Sequence, residues 1–266
     1  MGRVAVVTGA NKGIGLCIAQ QLVASGLFAH VVLGCRDKRR GEEAARATGA
    51  SFLQLEVGDA DSHAAFAKAL HERYGRLDVL VNNAAIAFKQ SDPTPFHKQT
   101  KPTLDINFRG TVDLTEQLLP LLLDPCVDDA RVVNVASMAG RLGQLSTPLQ
   151  ARFTAEDLTL PALSKLVDQF EADVAAGAHA SRGWNKSNYG LSKLALISAT
   201  RVLARTCAPR LKVNACCPGY CRTDMSSNRG GQPPEVGARN AVILATMPCE
   251  ECPSGAFYQN EAPSAW

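Results

Sequence analysis

Short apolar, β-branched segments alternate with longer segments of helical periodicity along most of the chain. This alternation is typical of βαβ units, in which a parallel sheet is buried between two layers of helices. The pattern predicts an α/β, doubly wound fold with helices on both faces of a mostly parallel, seven-stranded sheet. The predicted strands are Val4–Thr8, His30–Cys35, Phe52–Val57, Leu77–Asn82, Arg131–Ser137, Leu211–Cys217 and Gly255–Gln259.

One segment interrupts this alternation. Ser137 and Tyr189 are 52 residues apart, although a simple crossover between a strand and the next helix needs only a short loop. Apolar residues within the segment recur at helical spacing, which predicts helices starting at Thr154 and spanning Leu163–Val174. We therefore expect a helical insertion over residues 141–186. The other predicted helices include Gly13–Ser25, Asp61–Tyr74, Thr103–Leu119 and Ser187–Thr206.

The composition is that of an ordinary globular protein. Of the 266 residues, 46% are hydrophobic and 20% are charged, and no linker divides the chain, so we expect one domain over residues 1–266. The net charge of +3 is too small and dispersed to indicate a nucleic-acid surface. No apolar segment approaches the ~20 residues of a membrane helix, and no signal peptide is recognisable. The sequence predicts a soluble, cytoplasmic protein.

The nine cysteines are expected to remain reduced in such a protein. Cys35 and Cys216 lie in predicted strands, where a thiol packs as a small apolar side chain. Cys249 and Cys252 form a C-x-x-C motif, but no second pair follows at zinc-ligand spacing and no thioredoxin-like unit surrounds it. The sequence favours structural thiols over a metal or redox site, and it predicts no metal.

A glycine-rich turn joins the first predicted strand to the first predicted helix. Such a turn lets the backbone approach a pyrophosphate closely, and the helix N-terminus offers unpaired N–H groups to the anion. A glycine cluster alone would equally suit a flexible turn, but the strand-turn-helix context favours dinucleotide binding. The predicted phosphate site comprises Gly9, Asn11, Lys12, Gly13, Ile14 and Gly15.

The residues after the second predicted strand indicate which dinucleotide binds. An NAD site places an acidic residue about 20 positions beyond the glycines, where it binds the ribose 2′-hydroxyl. Cys35 holds that position and Arg36 follows it, with Arg40 nearby. A guanidinium can pair with the 2′-phosphate that NADP carries, so we expect NADP(H) as the cofactor. The alternative is a solvated charge cluster, and Asp37 would partly neutralise the site.

Tyr189 and Lys193 are four residues apart in a predicted helix, so both project from one face and can act on one ligand. This spacing alone is common by chance. Chance becomes a poor explanation when Ser137 ends one predicted strand, Asn83 follows another and Asn107 lies in a predicted helix. The set predicts an active site.

These motifs resemble those of the short-chain dehydrogenase/reductase family, and within it the monomeric NADPH-dependent carbonyl reductases. The resemblance implies a Rossmann fold and covers essentially the whole chain. The long spacing between Ser137 and Tyr189 is similar to that of the carbonyl-reductase branch. Ala85 departs from the family pattern, which has Gly, and Glu56 stands where an Asp commonly meets adenine. The motifs are Val79–Ala84, Asn107–Thr111, Arg131–Val135, Asn214–Gly219 and Arg222–Met225.

The resemblance implies a role for each catalytic residue in carbonyl reduction, where an acid must protonate the oxygen on which charge develops. Tyr189 is implied as that acid. Lys193 would stabilise the tyrosinate and bind the nicotinamide ribose, and Ser137 would hold the carbonyl oxygen. Asn107 would anchor a water that relays protons to Lys193.

Cofactor contacts are implied on both sides of the cleft. Beyond the glycine loop they are Arg36, Arg40, Glu56, Val57, Asn83, Tyr189, Lys193, Pro218, Gly219, Cys221 and Thr223, with Cys221 acting through its backbone.

The expected reaction is the NADPH-dependent reduction of small aldehydes, ketones and quinones to alcohols. Leu142–Ser146, Trp184 and the region after Met225 are expected to form the substrate wall. Two alternatives are a dinucleotide-binding protein without turnover, which would typically have lost the Tyr or Lys, and a dehydrogenase working in the oxidative direction. The catalytic residues cannot distinguish direction, because the same Tyr serves as acid or base.

The resemblance also bears on partners. Phe88, Lys89 and Gln99 fall in a region similar to a glutathione-contacting groove, so glutathione conjugates are a further expected substrate group.

Family oligomers associate through the helices that carry the catalytic Tyr and Asn. The insertion can cover those helices, which predicts a monomer, and a mobile substrate lid is the alternative role. The apolar face of the insertion comprises Leu158, Leu160, Leu163, Leu166, Val167 and Phe170.

Overall fold

The computed structural model describes residues 2–89 and 91–266, which are built around one sheet. The spatial order of the strands is β3-β2-β1-β4-β5-β6-β7-β8, with every neighbouring pair parallel except the last. The doubly wound, mostly parallel α/β fold is therefore confirmed. The strands are β1 (Val4–Thr8), β2 (His30–Cys35), β3 (Ser51–Gln54), β4 (Val79–Asn82), β5 (Ala130–Val135), β6 (Leu211–Cys216), β7 (Phe257–Gln259) and β8 (Ala262–Pro263).

The prediction of seven strands is wrong, because the described part of the chain contains an eighth. β8 has only two residues and pairs antiparallel with β7 through a tight turn. Asn260 and Glu261 in that turn both have positive φ, at 52° and 64°, as a two-residue hairpin of type I′ requires. A two-residue strand that contains a proline has no periodicity from which the sequence could predict it.

Helices cover both faces of the sheet. One layer contains α1 (Gly13–Ala24), α2 (Lys38–Thr48) and α9 (Pro234–Thr246); the other contains α3 (Ala60–Tyr74), α5 (Thr111–Leu122) and α8 (Asn188–Thr206). Side chains alternate along β1, with Ala5 and Val7 in the first layer's core and Val4 and Val6 in the second. Within residues 2–89 and 91–266, no helix has the length and apolar character needed to cross a membrane.

The single helix expected over Thr103–Leu119 is three consecutive pieces. α4 (Phe96–Leu104) leads into a π-helical segment, Asp105–Gly110, and α5 continues from it. Asn107 lies within the π-helical segment, which is the kind of local irregularity often found at functional sites. At its end the backbone passes so close to Val57 that a Cβ on Gly110 would lie 1.7 Å from the Val57 carbonyl oxygen.

Residues 141–186 contain a 3₁₀ turn, Leu142–Gln144, and two α-helices, α6 (Thr147–Thr154) and α7 (Leu160–Ala175). The expectation that a helix starts at Thr154 is wrong, because Thr154 ends α6. The next helix starts at Leu160, where the Thr159 side chain accepts a hydrogen bond from the Ala162 N–H and Pro161 lies in the first turn. Both features favour a helix N-terminus at that point.

The apolar side of this segment is buried against the helices that carry Asn107 and Tyr189. Arg109 adds a polar link, donating hydrogen bonds to Asp168 and Glu171 of α7 at 2.6 and 2.7 Å. The shared cluster includes Leu158, Leu163, Leu166, Val167 and Phe170 from the segment and Leu104, Phe108, Val112, Leu191 and Leu194 from the helices beneath it.

We predict that Gly110→Ala lowers the free energy of unfolding by on the order of 3 kcal/mol, because the added methyl group forces the π-helical segment away from Val57. Urea denaturation followed by circular dichroism measures the change. Gly143→Ala is the matched control, since a Cβ on Gly143 meets no atom within 4 Å. Equal midpoints for the two variants would contradict the prediction.

Candidate active site

The predicted site residues lie along the carboxyl edge of the sheet. β1 and β4 are neighbours whose following connections diverge, which is the position where doubly wound sheets bind ligands. The glycine loop follows β1 and Asn83 follows β4. Other predicted residues follow further strands, whereas Asn107, Tyr189 and Lys193 lie in helices. Those after strands are Arg36 and Arg40 after β2, Glu56 and Val57 after β3, Ser137 after β5, and Pro218, Gly219, Cys221 and Thr223 after β6.

The glycine loop is held by close backbone contacts that exclude side chains. Gly9 has a φ of +65°, and a Cβ on it would lie 2.9 Å from the Ala84 Cα. A Cβ on Gly15 would lie 2.4 Å from the Asn83 Nδ2, which itself donates to the Thr8 carbonyl at 2.9 Å. Because Lys12 does not cap α1 with its side chain, the first N–H groups of the helix are free to bind an anion. This cradle fits a pyrophosphate.

The pocket beside β2 carries the cationic groups expected there, each paired with an acid. Arg36 lies 3.6 Å from Glu56, and Arg40 lies 3.7 Å from Asp37, which caps α2 by accepting the Arg40 N–H. These side chains are about half or more exposed, so the pairs are weak and a phosphate can compete for the guanidinium. Burial raises the pKa of Cys35 to about 11, so its thiol is neutral near pH 7.

The loop after β6 lies against the glycine loop. Lys12 donates a 2.6 Å hydrogen bond to Asp224, and this contact lowers the pKa of the Asp224 carboxyl. Close to it, a Cβ on Gly13 would be 3.5 Å from the Thr223 Cγ2. The two loops therefore form opposite walls of one cleft.

Lys193 is the buried cation of the site. It is 2% exposed, and its Nζ donates a 2.7 Å hydrogen bond to the carbonyl of Val135, the last residue of β5. Burial lowers the pKa of Lys193 to about 8, although the Cys216 and Cys217 thiols oppose the shift. The ammonium lies 5.7 Å from the centroid of the Tyr189 ring, within cation–π range.

Tyr189 faces Ser137 across the same edge. Burial raises the pKa of the Tyr189 phenol to about 12, and interaction with the Ser137 hydroxyl offsets part of the rise. Ser137 also caps the short turn after β5, accepting a hydrogen bond from the Ala139 N–H at 3.1 Å. The phenol of Tyr189, the hydroxyl of Ser137 and the ammonium of Lys193 therefore lie close together.

Asn107 is completely buried, with its amide engaged on both sides. Its Oδ1 accepts the Ile86 N–H at 2.8 Å, and its Nδ2 donates to the Ile86 carbonyl at 2.9 Å and to the Ser192 hydroxyl at 3.1 Å. Ser192 donates in turn to the Tyr189 carbonyl at 2.8 Å. Asn107 therefore contacts α8, the helix that carries Tyr189, through Ser192, a residue that the sequence did not indicate.

Cys217 links two loops of the site and was also missed. Its Sγ accepts hydrogen bonds from the Met138 N–H at 3.2 Å and the Gly219 N–H at 3.3 Å, so one thiol connects the turn after Ser137 to the loop after β6. The C-C-P-G sequence shows a small residue at this position and gives no signal of either bond.

The Cys221 side chain, and not only its backbone, contacts other parts of the loop after β6. Its Sγ donates to the Pro218 carbonyl at 3.1 Å and fills the space beside Gly237, where a Cβ would lie 2.3 Å from the sulfur. Gln232 donates to the same carbonyl at 2.7 Å, a contact that no sequence motif indicates. Together these bonds shape the loop predicted to meet the nicotinamide.

One part of the expected substrate wall is wrong. Trp184 is 4% exposed and packs between Phe153 and Phe170, with its indole N–H donating to Asp173 at 2.7 Å. It therefore belongs to the core of the 141–186 segment. Tyr220 and Met225, by contrast, are 62% and 41% exposed in the loop after β6.

Two family models match most of the chain, and several known proteins are similar to it over almost its whole length. The family described as short chain dehydrogenase matches residues 3–150, and the family described as Enoyl-(Acyl carrier protein) reductase matches residues 174–247. The chain is 42% identical over 277 residues to Carbonyl reductase (NADPH) 1 of Homo sapiens, covering 99% of this chain and 98% of that protein. Identity to its Sus scrofa counterpart is 41% over 277 residues, covering 99% and 94%.

Two solved structures share the fold over nearly their whole length. Salutaridine reductase from Papaver somniferum superimposes with a TM-score of 0.87 at 32% identity, covering 97% of this chain and 99% of that one. The NADPH-bound carbonyl reductase from chicken fatty liver gives a TM-score of 0.73 at 25% identity, covering 100% and 99%. Sequence and fold agree, and the chain belongs to the short-chain dehydrogenase family.

Proposed function

We propose that this protein reduces small carbonyl compounds, namely aldehydes, ketones and quinones, to alcohols with NADPH. The observation that carries the proposal is the convergence of Ser137, Tyr189 and the buried Lys193 beside the glycine loop. Similarity over almost the whole chain to proteins named as NADPH carbonyl reductases supports the same reaction.

The cofactor would lie along the carboxyl edge. NADPH supplies the hydride when bound, and residues along this edge would hold each part of the cofactor. The glycine loop (Gly9, Asn11, Lys12, Gly13, Ile14 and Gly15) would bind the pyrophosphate. Arg36 and Arg40 would bind the 2′-phosphate, and Glu56, Val57 and Asn83 would line the adenosine side. Pro218, Gly219, Cys221 and Thr223 would approach the nicotinamide, with Tyr189 and Lys193 near its ribose.

Tyr189 would donate the proton. A phenol with a pKa near 12 is fully protonated at neutral pH, so it can hydrogen-bond the substrate oxygen and release its proton as that oxygen gains charge. Lys193, with a pKa near 8, is mostly charged at pH 7 and stabilises the resulting tyrosinate. Ser137 would donate a second hydrogen bond to the oxygen.

Asn107 would position Ile86 and the catalytic helix, and also anchor the proton-relay water. Its Oδ1 accepts one bond in the structure, and a carbonyl oxygen has a second lone pair that a water can use. The alternative of a dinucleotide-binding protein without turnover is disfavoured, because Ser137, Tyr189, Lys193 and Asn107 are all present.

We predict that Tyr189→Phe reduces kcat by at least about a thousandfold while NADPH still binds, since only the proton donor is removed. The measurement is NADPH oxidation with quinones, aromatic aldehydes, ketones and a glutathione-conjugated carbonyl as substrates. The last substrate also tests the glutathione groove that we propose at Phe88, Lys89 and Gln99. Tyr74→Phe is the control, because the buried Tyr74 hydroxyl has no hydrogen-bond partner among residues 2–89 and 91–266. Turnover by Tyr189→Phe near the control's rate would contradict the role.

The buried lysine predicts a pH dependence of stability for the cofactor-free protein. Folding lowers the Lys193 pKa from 10.5 to about 8, so burying the charged side chain lowers the free energy of unfolding by on the order of 3 kcal/mol below pH 8. This loss of stability becomes smaller as the pH rises from about 8 to 10.5, because in that range Lys193 is protonated only in the unfolded chain. We expect the stability of Lys193→Met relative to wild type to be highest below pH 8 and to fall across this window.

Chemical denaturation at several pH values measures this difference. The Val135 carbonyl left unpaired in Lys193→Met shifts the difference by a constant that does not depend on pH. Lys165→Met, at an exposed position of α7, is the control and should show no trend. A flat difference for Lys193→Met would contradict the prediction.

We predict at least about a tenfold preference for NADPH over NADH in kcat/KM, because a charge-assisted bond to the 2′-phosphate contributes roughly 1.5–3 kcal/mol. Arg36→Ala should raise the KM for NADPH by about tenfold or more and leave that for NADH nearly unchanged. Arg39→Ala removes a neighbouring guanidinium that pairs with Glu43 and is the matched control. Equal effects of Arg36→Ala on both cofactors would exclude the proposed contact.

We further propose that residues 141–186 are a helical insertion within a single domain, 1–266, and that it keeps the protein monomeric. Support comes from the burial of its apolar face on the helices of Asn107 and Tyr189 and from the Arg109 bonds to α7. A face buried within its own chain has no area left for a second copy.

We expect light scattering coupled to gel filtration at micromolar concentration to give a mass near 28.3 kDa. A mass near twice or four times that value would show that other surfaces associate.

A further inference from the structure

The C-x-x-C motif lies in a short turn between α9 and β7, away from the catalytic groups. Residues Cys249–Glu251 form a single 3₁₀ turn, closed by a 3.3 Å hydrogen bond from the Cys252 N–H to the Cys249 carbonyl. Such a turn brings its first and last Cα atoms within roughly 7 Å, and disulfides span roughly 4.4–6.8 Å between Cα atoms. The backbone is therefore compatible with a bond between these cysteines.

Both sulfur atoms lie against the same side of β6. The Cys249 Sγ is 3.0 Å from the Lys212 Nζ, and the Cys252 Sγ is 3.9 Å from the Asn214 Nδ2. Lys212 and Asn214 are two residues apart on a strand, so their side chains point to one face of the sheet. Lys212 also donates to the Cys249 carbonyl, which anchors the turn above it.

The two thiols differ in access and in charge environment. Cys249 is exposed, and its sulfur accepts a hydrogen bond from the Lys212 ammonium group. Cys252 is 7% exposed, and burial raises the pKa of its thiol. An exposed thiol with a cationic partner, next to a buried second thiol, is the arrangement of an attacking and a resolving cysteine.

We propose that Cys249 and Cys252 form a reversible dithiol–disulfide site that reacts with low-molecular-weight disulfides. The Cys249 thiolate attacks one sulfur of the disulfide, forming a mixed disulfide and releasing one small thiolate. The Cys252 thiol then loses its proton and attacks the Cys249 sulfur, so the internal disulfide forms and the second small thiolate leaves. The protein loses two electrons and two protons, and the small disulfide is reduced to two thiols.

This site is independent of the proposed reductase activity. Lys212 is near the start of β6, whereas the residues proposed to approach the nicotinamide follow the end of that strand. The turn therefore lies at the opposite edge of the sheet from the cleft, and oxidation here is expected to leave NADPH turnover unchanged.

Treating the full-length protein with oxidised glutathione, then alkylating and digesting it with trypsin, tests the proposal. The peptide 240–266 contains Cys249 and Cys252 and no other cysteine, while 110–131 contains only the exposed Cys126. We expect peptide 240–266 to lose two hydrogen atoms and resist alkylation, and peptide 110–131 to retain bound glutathione because Cys126 has no second cysteine beside it in the sequence. A stable glutathione adduct on wild-type 240–266, or no reaction there while Cys126 reacts, would overturn the proposal.

Four variants test the roles assigned to Cys249, Cys252 and Lys212. Cys252→Ser and Cys252→Ala should both stop at the glutathione adduct on Cys249, and Cys249→Ser should leave Cys252 free. Lys212→Met should slow the reaction of Cys249 about tenfold, the effect of losing one charge-assisted bond, whereas the control Lys165→Met should not. Oxidation of Cys252 at the wild-type rate in Cys249→Ser, or an unchanged rate in Lys212→Met, would contradict the assigned roles.

Discussion

The hydrogen bond from the Lys193 ammonium to the Val135 carbonyl determines the geometry of the whole site. A buried charge must be paired, and this one is paired with the last carbonyl of β5, two residues before Ser137. The same bond fixes α8 to the sheet and holds Tyr189, one helical turn earlier, against Ser137. The approach is close enough that a Cβ on Gly140 would lie 2.7 Å from the Leu194 nitrogen. The position of Tyr189 beside Ser137 and the packing of α8 on the sheet therefore depend on the same contact.

The parts of the fold and of the candidate site that could be predicted are those encoded by a few consecutive residues. β1 and β2 have the predicted bounds, because their residues are apolar, buried and followed by clear turn or helix signals. The Tyr189–Lys193 spacing and the glycine loop are likewise contained in a few consecutive residues. β3 ends at Gln54, earlier than predicted, because the Glu56 N–H bonds to the Ser62 hydroxyl and leaves the strand pairing. Such a side-chain bond has no signature in hydrophobic periodicity.

Contacts between distant residues explain what could not be predicted. The π-helical segment around Asn107 depends on the approach of Gly110 to Val57, and Trp184 is buried through a bond to Asp173 and contacts with two phenylalanines. The contacts of two cysteine sulfur atoms likewise have no signal in the sequence. Cys217 and Cys221 occupy positions where a small apolar residue would give the same pattern, yet each thiol bonds to the backbone that forms the cleft.

The eighth strand has a consequence for behaviour at high concentration. An uncovered edge of a long parallel sheet offers a row of free N–H and C=O groups, onto which another chain can add as a further strand. Here the outer edge is only two residues long, ends in Pro263, which has no N–H to donate, and follows a turn with two residues of positive φ. This hairpin therefore leaves few free backbone groups at that edge, which disfavours intermolecular β-pairing and fibril growth there.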